Sequence, residues 1–155
     1  MDEFRSEDEQ VEALRRWWNE NGTSTIVAIV VTLAAGLGWQ AWQGHTQAQQ
    51  EQASNLYQAM IRVVDAPEAQ SKQEAIDLGE QLKAEYAGTT YAQFGAMHLA
   101  ALSVGRNELD DAQEQLRWVL GNADAGSENA QIAQLRLARV LAAAGDSEQA
   151  LKILS

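Results

Sequence analysis

A chain of 155 residues with a formal charge of −11, no cysteine and one proline has room for a single small domain and an appendage. The acidity excludes nucleic acid as a partner, because binding phosphates needs Lys and Arg to displace their counterions. The missing cysteines exclude disulfides and thiolate metal sites. Ala, Gln, Leu and Glu dominate and β-branched residues are scarce outside one early stretch, so the fold class is all-α.

Residues 1–22 carry seven acids against three arginines. Val11, Leu14 and Trp18 recur at i, i+3 and i+7, which predicts a short amphipathic helix on a membrane surface, ended by Asn21-Gly22. The next segment, 23–42, is the transmembrane helix. Its heart is the apolar run Thr25 to Gly38, and no Asp, Glu, Lys or Arg occurs between Glu20 and Glu51. Trp17 and Trp18 stand before the run, and Trp39 and Trp42 close it. The 21 steps from Trp18 to Trp39 make roughly 32 Å of helix. That length matches a hydrocarbon core of about 30 Å with an indole at each boundary. A cleaved signal peptide is the rival reading, but the region before the run is long and acidic and no clean small-x-small cleavage site follows it. Arg15 and Arg16 precede the span, whereas the far side has no Lys or Arg until Arg62, so the N-terminus lies in the cytoplasm. Arg15, Arg16, Trp17, Trp18, Trp39 and Trp42 are the candidate membrane-boundary anchors.

Residues 43–155 form one helical domain. The polar stretch Gln43 to Ser54 continues the span as helix, and Ala53, Leu56, Tyr57, Met60, Val63 and Val64 form an i, i+3, i+4, i+7 stripe. A turn at Pro67 follows. A second stripe holds Ala75, Leu78, Leu82 and Tyr86, and further helices are predicted over Tyr91–Val104, Glu108–Leu120, Glu128–Ala144 and Ser147–Leu154. Short turns make antiparallel hairpins the default. Leu99 to Leu116 aligns with Leu137 to Leu154 at an offset of 38, pairing Ala112 with Ala150. This pattern resembles the tetratricopeptide repeat, a stack of helical hairpins. Ala112 and Ala150 are expected at helix crossings, with Gln113 beside Ala112 on the exposed side. The last helix has no cap after it, so the domain is expected to be truncated at its C-terminus or to meet a partner there.

No catalytic pattern stands out. His45 and His98 fall in no metal-ligand spacing, and His98 sits among apolar residues as a packed histidine. Asp110-Asp111 lie in a first helical turn, where acids favour the helix dipole. The chain reads as no enzyme, with no cofactor and no metal. Carrying the groove of a tetratricopeptide stack onto the aligned positions gives candidate partner-binding residues Phe94, Met97, Ala101, Ile132, Leu135 and Arg139. The bland reading of the same stripe is a core face that a further helix fills.

The ordered set "EALRRWWNENG", a span ending "GWQAW", "TTYAQFGAMHLAAL", "NELDDAQEQL" and "LRLARVLAAAGDSEQAL" resembles the YfgM family, the ancillary subunit of the SecYEG translocon, from Gln10 onward. The resemblance implies a bacterial inner-membrane protein, single-pass, with a periplasmic tetratricopeptide-like domain and no enzymatic activity. It implies the SecYEG translocon and the periplasmic chaperone PpiD as partners, beside membrane lipid and unfolded exported polypeptides. The expected function is an anchored interaction module that helps transfer exported proteins to periplasmic chaperones. The alternative is a structural or regulatory membrane scaffold acting through its cytoplasmic N-terminal segment.

Overall fold

Helix-favouring residues and a shortage of breakers decide the architecture. The computed structural model describes residues 3–64 and 69–154, and these hold six α-helices: α1 Glu3–Val64, α2 Ala69–Glu85, α3 Thr90–Gly105, α4 Leu109–Asn122, α5 Glu128–Ala143 and α6 Ser147–Leu154. The Pro67 turn lies outside the described residues. By its contacts the chain divides into two compact units, Met1–Thr46 and Gln47–Ser155.

The first unit is helix throughout its described length. It contains the one helical stretch among the described residues that is long and apolar enough to cross a membrane, and the apolar window there is almost wholly exposed. The end predicted at Asn21-Gly22 does not occur, since α1 runs through both residues. Local contacts explain why. Asn21 Nδ2 donates to the Trp17 carbonyl at 3.1 Å and Thr25 Oγ1 donates to the Asn21 carbonyl at 3.0 Å, both compatible with unbroken i→i−4 backbone bonding. The Trp18 indole lies so close over Gly22 that an added Cβ would meet it at 3.3 Å. The glycine is therefore covered, and its usual exposure of helix backbone to solvent is reduced.

The second unit packs consecutive helices as hairpins, α2 on α3, α3 on α4, α4 on α5 and α5 on α6, and α3 also reaches α5. Its apolar stripes form two cores. One gathers Ala53 and Met60 from α1 with Ala75, Leu82, Ala92 and Leu99. The other gathers Ala96, Ala100, Ala112, Leu116, Leu137 and Ala150 with their neighbours. Trp118, the tryptophan away from the span, packs against both. Two glycines allow the helices to approach closely. A Cβ on Gly79 would fall 2.8 Å from the Leu99 side chain, and one on Gly95 would fall 2.9 Å from Leu82 Cδ1.

The offset of 38 returns bond for bond at the turns. Glu108 N–H donates to the Ser103 carbonyl and Asp146 N–H to the Leu141 carbonyl, both at 2.9 Å. Asn107 N–H donates to the Val104 carbonyl at 2.9 Å, and Gly145 N–H to the Ala142 carbonyl at 3.1 Å. These are the 6→1 and 5→2 bonds that close a helix through a left-handed residue, here Asn107 at φ 62° and Gly145 at φ 90°. The following helices start alike, with Ala112 N–H donating to the Glu108 carbonyl and Ala150 N–H to the Asp146 carbonyl, each at 3.1 Å.

The repeats differ where their neighbours differ. Leu116 is 1% exposed beneath α5, whereas its counterpart Leu154 on α6 is 53% exposed. Gln113 also departs from its expected place. It is 8% exposed and its Oε1 accepts from Arg117 Nη2 at 3.1 Å. Helix α4 packs between α3 and α5, so the face beside Ala112 is covered as well.

Candidate functional site

Helices α3 and α5 both pack on α4, and α3 also reaches α5. Thr89 caps α3 by accepting from Ala92 N–H at 3.2 Å, and Ser127 caps α5 by accepting from Ala130 N–H at 3.3 Å. The pair is pinned by the buried Gln93, whose Oε1 accepts from Asn129 Nδ2 at 2.8 Å. Its Nε2 donates to the Asn122 carbonyl at 3.2 Å. The register of α3 against α5 is thus held by a satisfied polar side chain, which would be costly to leave unpaired.

Between them opens a hollow of about 360 Å³. Met97, Ala101 and Val104 of α3 and Val140 of α5 supply apolar walls, and Arg136 and Arg139 supply its charge. A second hollow, also about 360 Å³ and almost entirely apolar, lies between α5 and α6 and is lined by Leu135, Ala138, Leu151 and Leu154. Arg139 borders both.

The six candidate groove residues separate accordingly. Met97, Ala101 and Arg139 come together at the first hollow, and Leu135 joins Arg139 at the second. Phe94 and Ile132 line neither of these two hollows and pack half-buried against the larger core. Phe94 also stands 5.8 Å from the Tyr57 ring, centroid to centroid. Sequence reasoning missed Arg136, Val104 and Val140. The signal was available, since Arg136, Arg139 and Val140 are spaced i, i+3, i+4 in "LRLARV".

The candidate boundary anchors Arg15, Arg16, Trp17, Trp18, Trp39 and Trp42 are all exposed. Their indoles form two pairs along α1, Trp17 with Trp18 at 6.4 Å and Trp39 with Trp42 at 5.3 Å between centroids. His98 is half-buried, with Nε2 3.2 Å from the Tyr57 hydroxyl, as expected for a packed histidine. Burial pushes the phenol of Tyr57, beyond the span, above its ordinary value. Among the described residues no group of three or more His, Cys, Asp or Glu side chains is placed to hold a metal ion.

Comparison with known proteins follows the same outline. Residues 15–155 match the family described as a tetratricopeptide repeat-like domain. Over 155 residues the chain is 34% identical to the ancillary SecYEG translocon subunit of Escherichia coli (strain K12), covering 99% of this chain and 72% of that protein. The chain belongs to the family of ancillary SecYEG translocon subunits. A second member of the family, from Haemophilus influenzae, is 30% identical over 149 residues, covering 96% of this chain and 71% of its own. A third, from Aggregatibacter actinomycetemcomitans, is 28% identical over 149 residues. No solved structure gives a significant match. The matched stretch in the Escherichia coli member takes in both the membrane-capable helix and the hairpins, so the family resemblance is not confined to a repeat that many unrelated proteins share.

Proposed function

We propose that this protein is a single-pass inner-membrane component of the bacterial Sec translocon, with residues 1–22 in the cytoplasm, residues 23–42 in the bilayer and the helical domain in the periplasm. There it acts as an interaction module that helps pass emerging polypeptides to periplasmic chaperones, PpiD among them. The role is binding, and no catalytic step is assigned to it.

The observation that carries this reading is how little chain separates the span from the domain. From Trp42 to Ala53, the first buried residue of the domain, is 11 residues. Even a fully extended chain of that length reaches only about 40 Å. A domain joined so directly to a membrane anchor stays near the membrane, and a polypeptide leaving a channel beside that anchor would meet it at high effective concentration. Family membership supports the choice of translocon, and the basic pair Arg15 and Arg16 supports the orientation.

The test is co-purification. Tagged full-length protein extracted from inner membranes in mild detergent should migrate with SecY in native electrophoresis. A stalled secretory chain should crosslink to the domain. Migration of the protein alone, with translocon intact elsewhere on the same gel, overturns the assignment.

A further inference from the structure

The hollow between α3 and α5 holds a charge that the rest of the domain does not favour. From Gln47 to Ser155 the chain has fifteen acids against eight bases. Several of those bases are already engaged. Lys83 pairs with Glu80 at 2.9 Å, Arg106 pairs with Glu108 at 2.6 Å, and Arg117 donates to Gln113. Arg136 and Arg139 differ, because among the described residues neither guanidinium has an ion pair or hydrogen bond. They stand three residues apart on one face of α5, where like charges repel and add nothing to the helix. No acid lines the hollow they border.

The apolar walls narrow what such a pair can bind. Met97, Ala101, Val104 and Val140 give a surface that rewards burial of aliphatic side chains, and methionine adapts to several shapes. A bare inorganic anion would gain nothing from them. The volume of about 360 Å³ falls in the range of ligand pockets, roughly 300–1,000 Å³. A guanidinium matches the two oxygens of a carboxylate in fork geometry. We propose that this hollow binds an acidic, apolar polypeptide segment, with aliphatic side chains against Met97, Ala101, Val104 and Val140 and a carboxylate on Arg136 and Arg139. The domain's net negative charge sharpens the choice, since it repels acidic segments in general while this pair attracts them locally. A basic segment is drawn to the domain in general but has no counterpart in the hollow. This inference rests on the proposed role as an interaction module and names the chemistry of its partner.

The experiment uses the full-length protein in detergent and a fluorescent peptide of leucine and alanine carrying a pair of glutamates. Two control peptides replace the glutamates with glutamine or with lysine. Wild-type protein should bind the glutamate peptide about tenfold more tightly than the glutamine one, as expected for charge-assisted hydrogen bonds. The lysine peptide should be weakest in the hollow, and added salt should erase the preference for acid. The variant R136Q/R139Q should lose that preference while keeping its melting temperature, because both side chains are exposed and unpaired. R136K/R139K, which keeps charge without the fork, should fall between. Amidating the peptide's C-terminus distinguishes a terminal carboxylate from side-chain ones. Equal affinity for acidic and neutral peptides, or a preference that survives R136Q/R139Q, overturns the proposal. So does a double variant that loses only its binding to phosphatidylglycerol vesicles, which would assign the arginines to lipid headgroups. Translocon co-purification of wild type and variant, measured in parallel, separates failure of this site from failure of the assembly role.

Discussion

Asn107 and Gly145 occupy one position in successive repeats, and the left-handed backbone there is required by the two hydrogen bonds that close each helix. Asparagine tolerates this conformation and glycine takes it freely, so the two turns are unequal in cost although equal in geometry. Gly145→Ala should therefore destabilise the domain by about 1–2 kcal/mol, the price of a left-handed residue with a Cβ. Asn107→Gly should be neutral or slightly stabilising. Chemical denaturation of the two variants, read by helical circular dichroism, checks the pair. A larger loss for Asn107→Gly than for Gly145→Ala would mean that the Asn107 side chain holds something the backbone does not explain.

At the scale of elements, close crossings decide stability. Ala112 is 0% exposed within the larger core, and Gly79 meets the packed Leu99 side chain. Leu99 is itself 3% exposed, and the space beside it is a small hollow of about 170 Å³ that it lines with Ile76 and Ser103. Ala112→Leu should cost about 1–3 kcal/mol through overpacking. Gly79→Ala should also destabilise, even though alanine favours an isolated helix over glycine by about 0.5–1 kcal/mol. Glu114→Leu, on an exposed face of α4, serves as the control and should change the melting temperature little. Gln113 is unsuitable for that purpose, since it is buried and bonded to Arg117. If Gly79→Ala raises the melting temperature instead, propensity outweighs the α2–α3 crossing and the Leu99 contact is softer than its burial implies.

For the molecule as a whole, the proposed orientation rests on the charge on either side of the membrane-capable stretch. Arg15 and Arg16 are the last bases before it, and Arg62 is the first after it. Enzymatic reporters active only in the periplasm should work when fused after Ser155 and stay silent at the N-terminus. Arg15→Gln with Arg16→Gln should lower the activity of the C-terminal fusion by admitting inverted copies. Unchanged fusion activity in that double variant would assign orientation to some feature other than the basic pair.

The helical class, the membrane-capable segment and the repeat register were legible in the sequence because each is a local periodicity. Apolar residues at helical spacing, a charge-free stretch bracketed by tryptophans and a 38-residue echo need no knowledge of distant neighbours. The turn bonds at Asn107 and Gly145 reproduce that echo because they are local too. Tertiary structure decided what depends on contact. The Trp18 indole and two side-chain bonds carry α1 through Asn21-Gly22, where the residue types alone spell an end. Packing of α4 between two helices buries Gln113. Of six groove candidates, three meet at the hollow between α3 and α5, and Arg136 joins them. A residue's own spacing names the helix face it occupies. Which neighbour covers that face, or leaves it open, is set by how helices far apart in the chain cross.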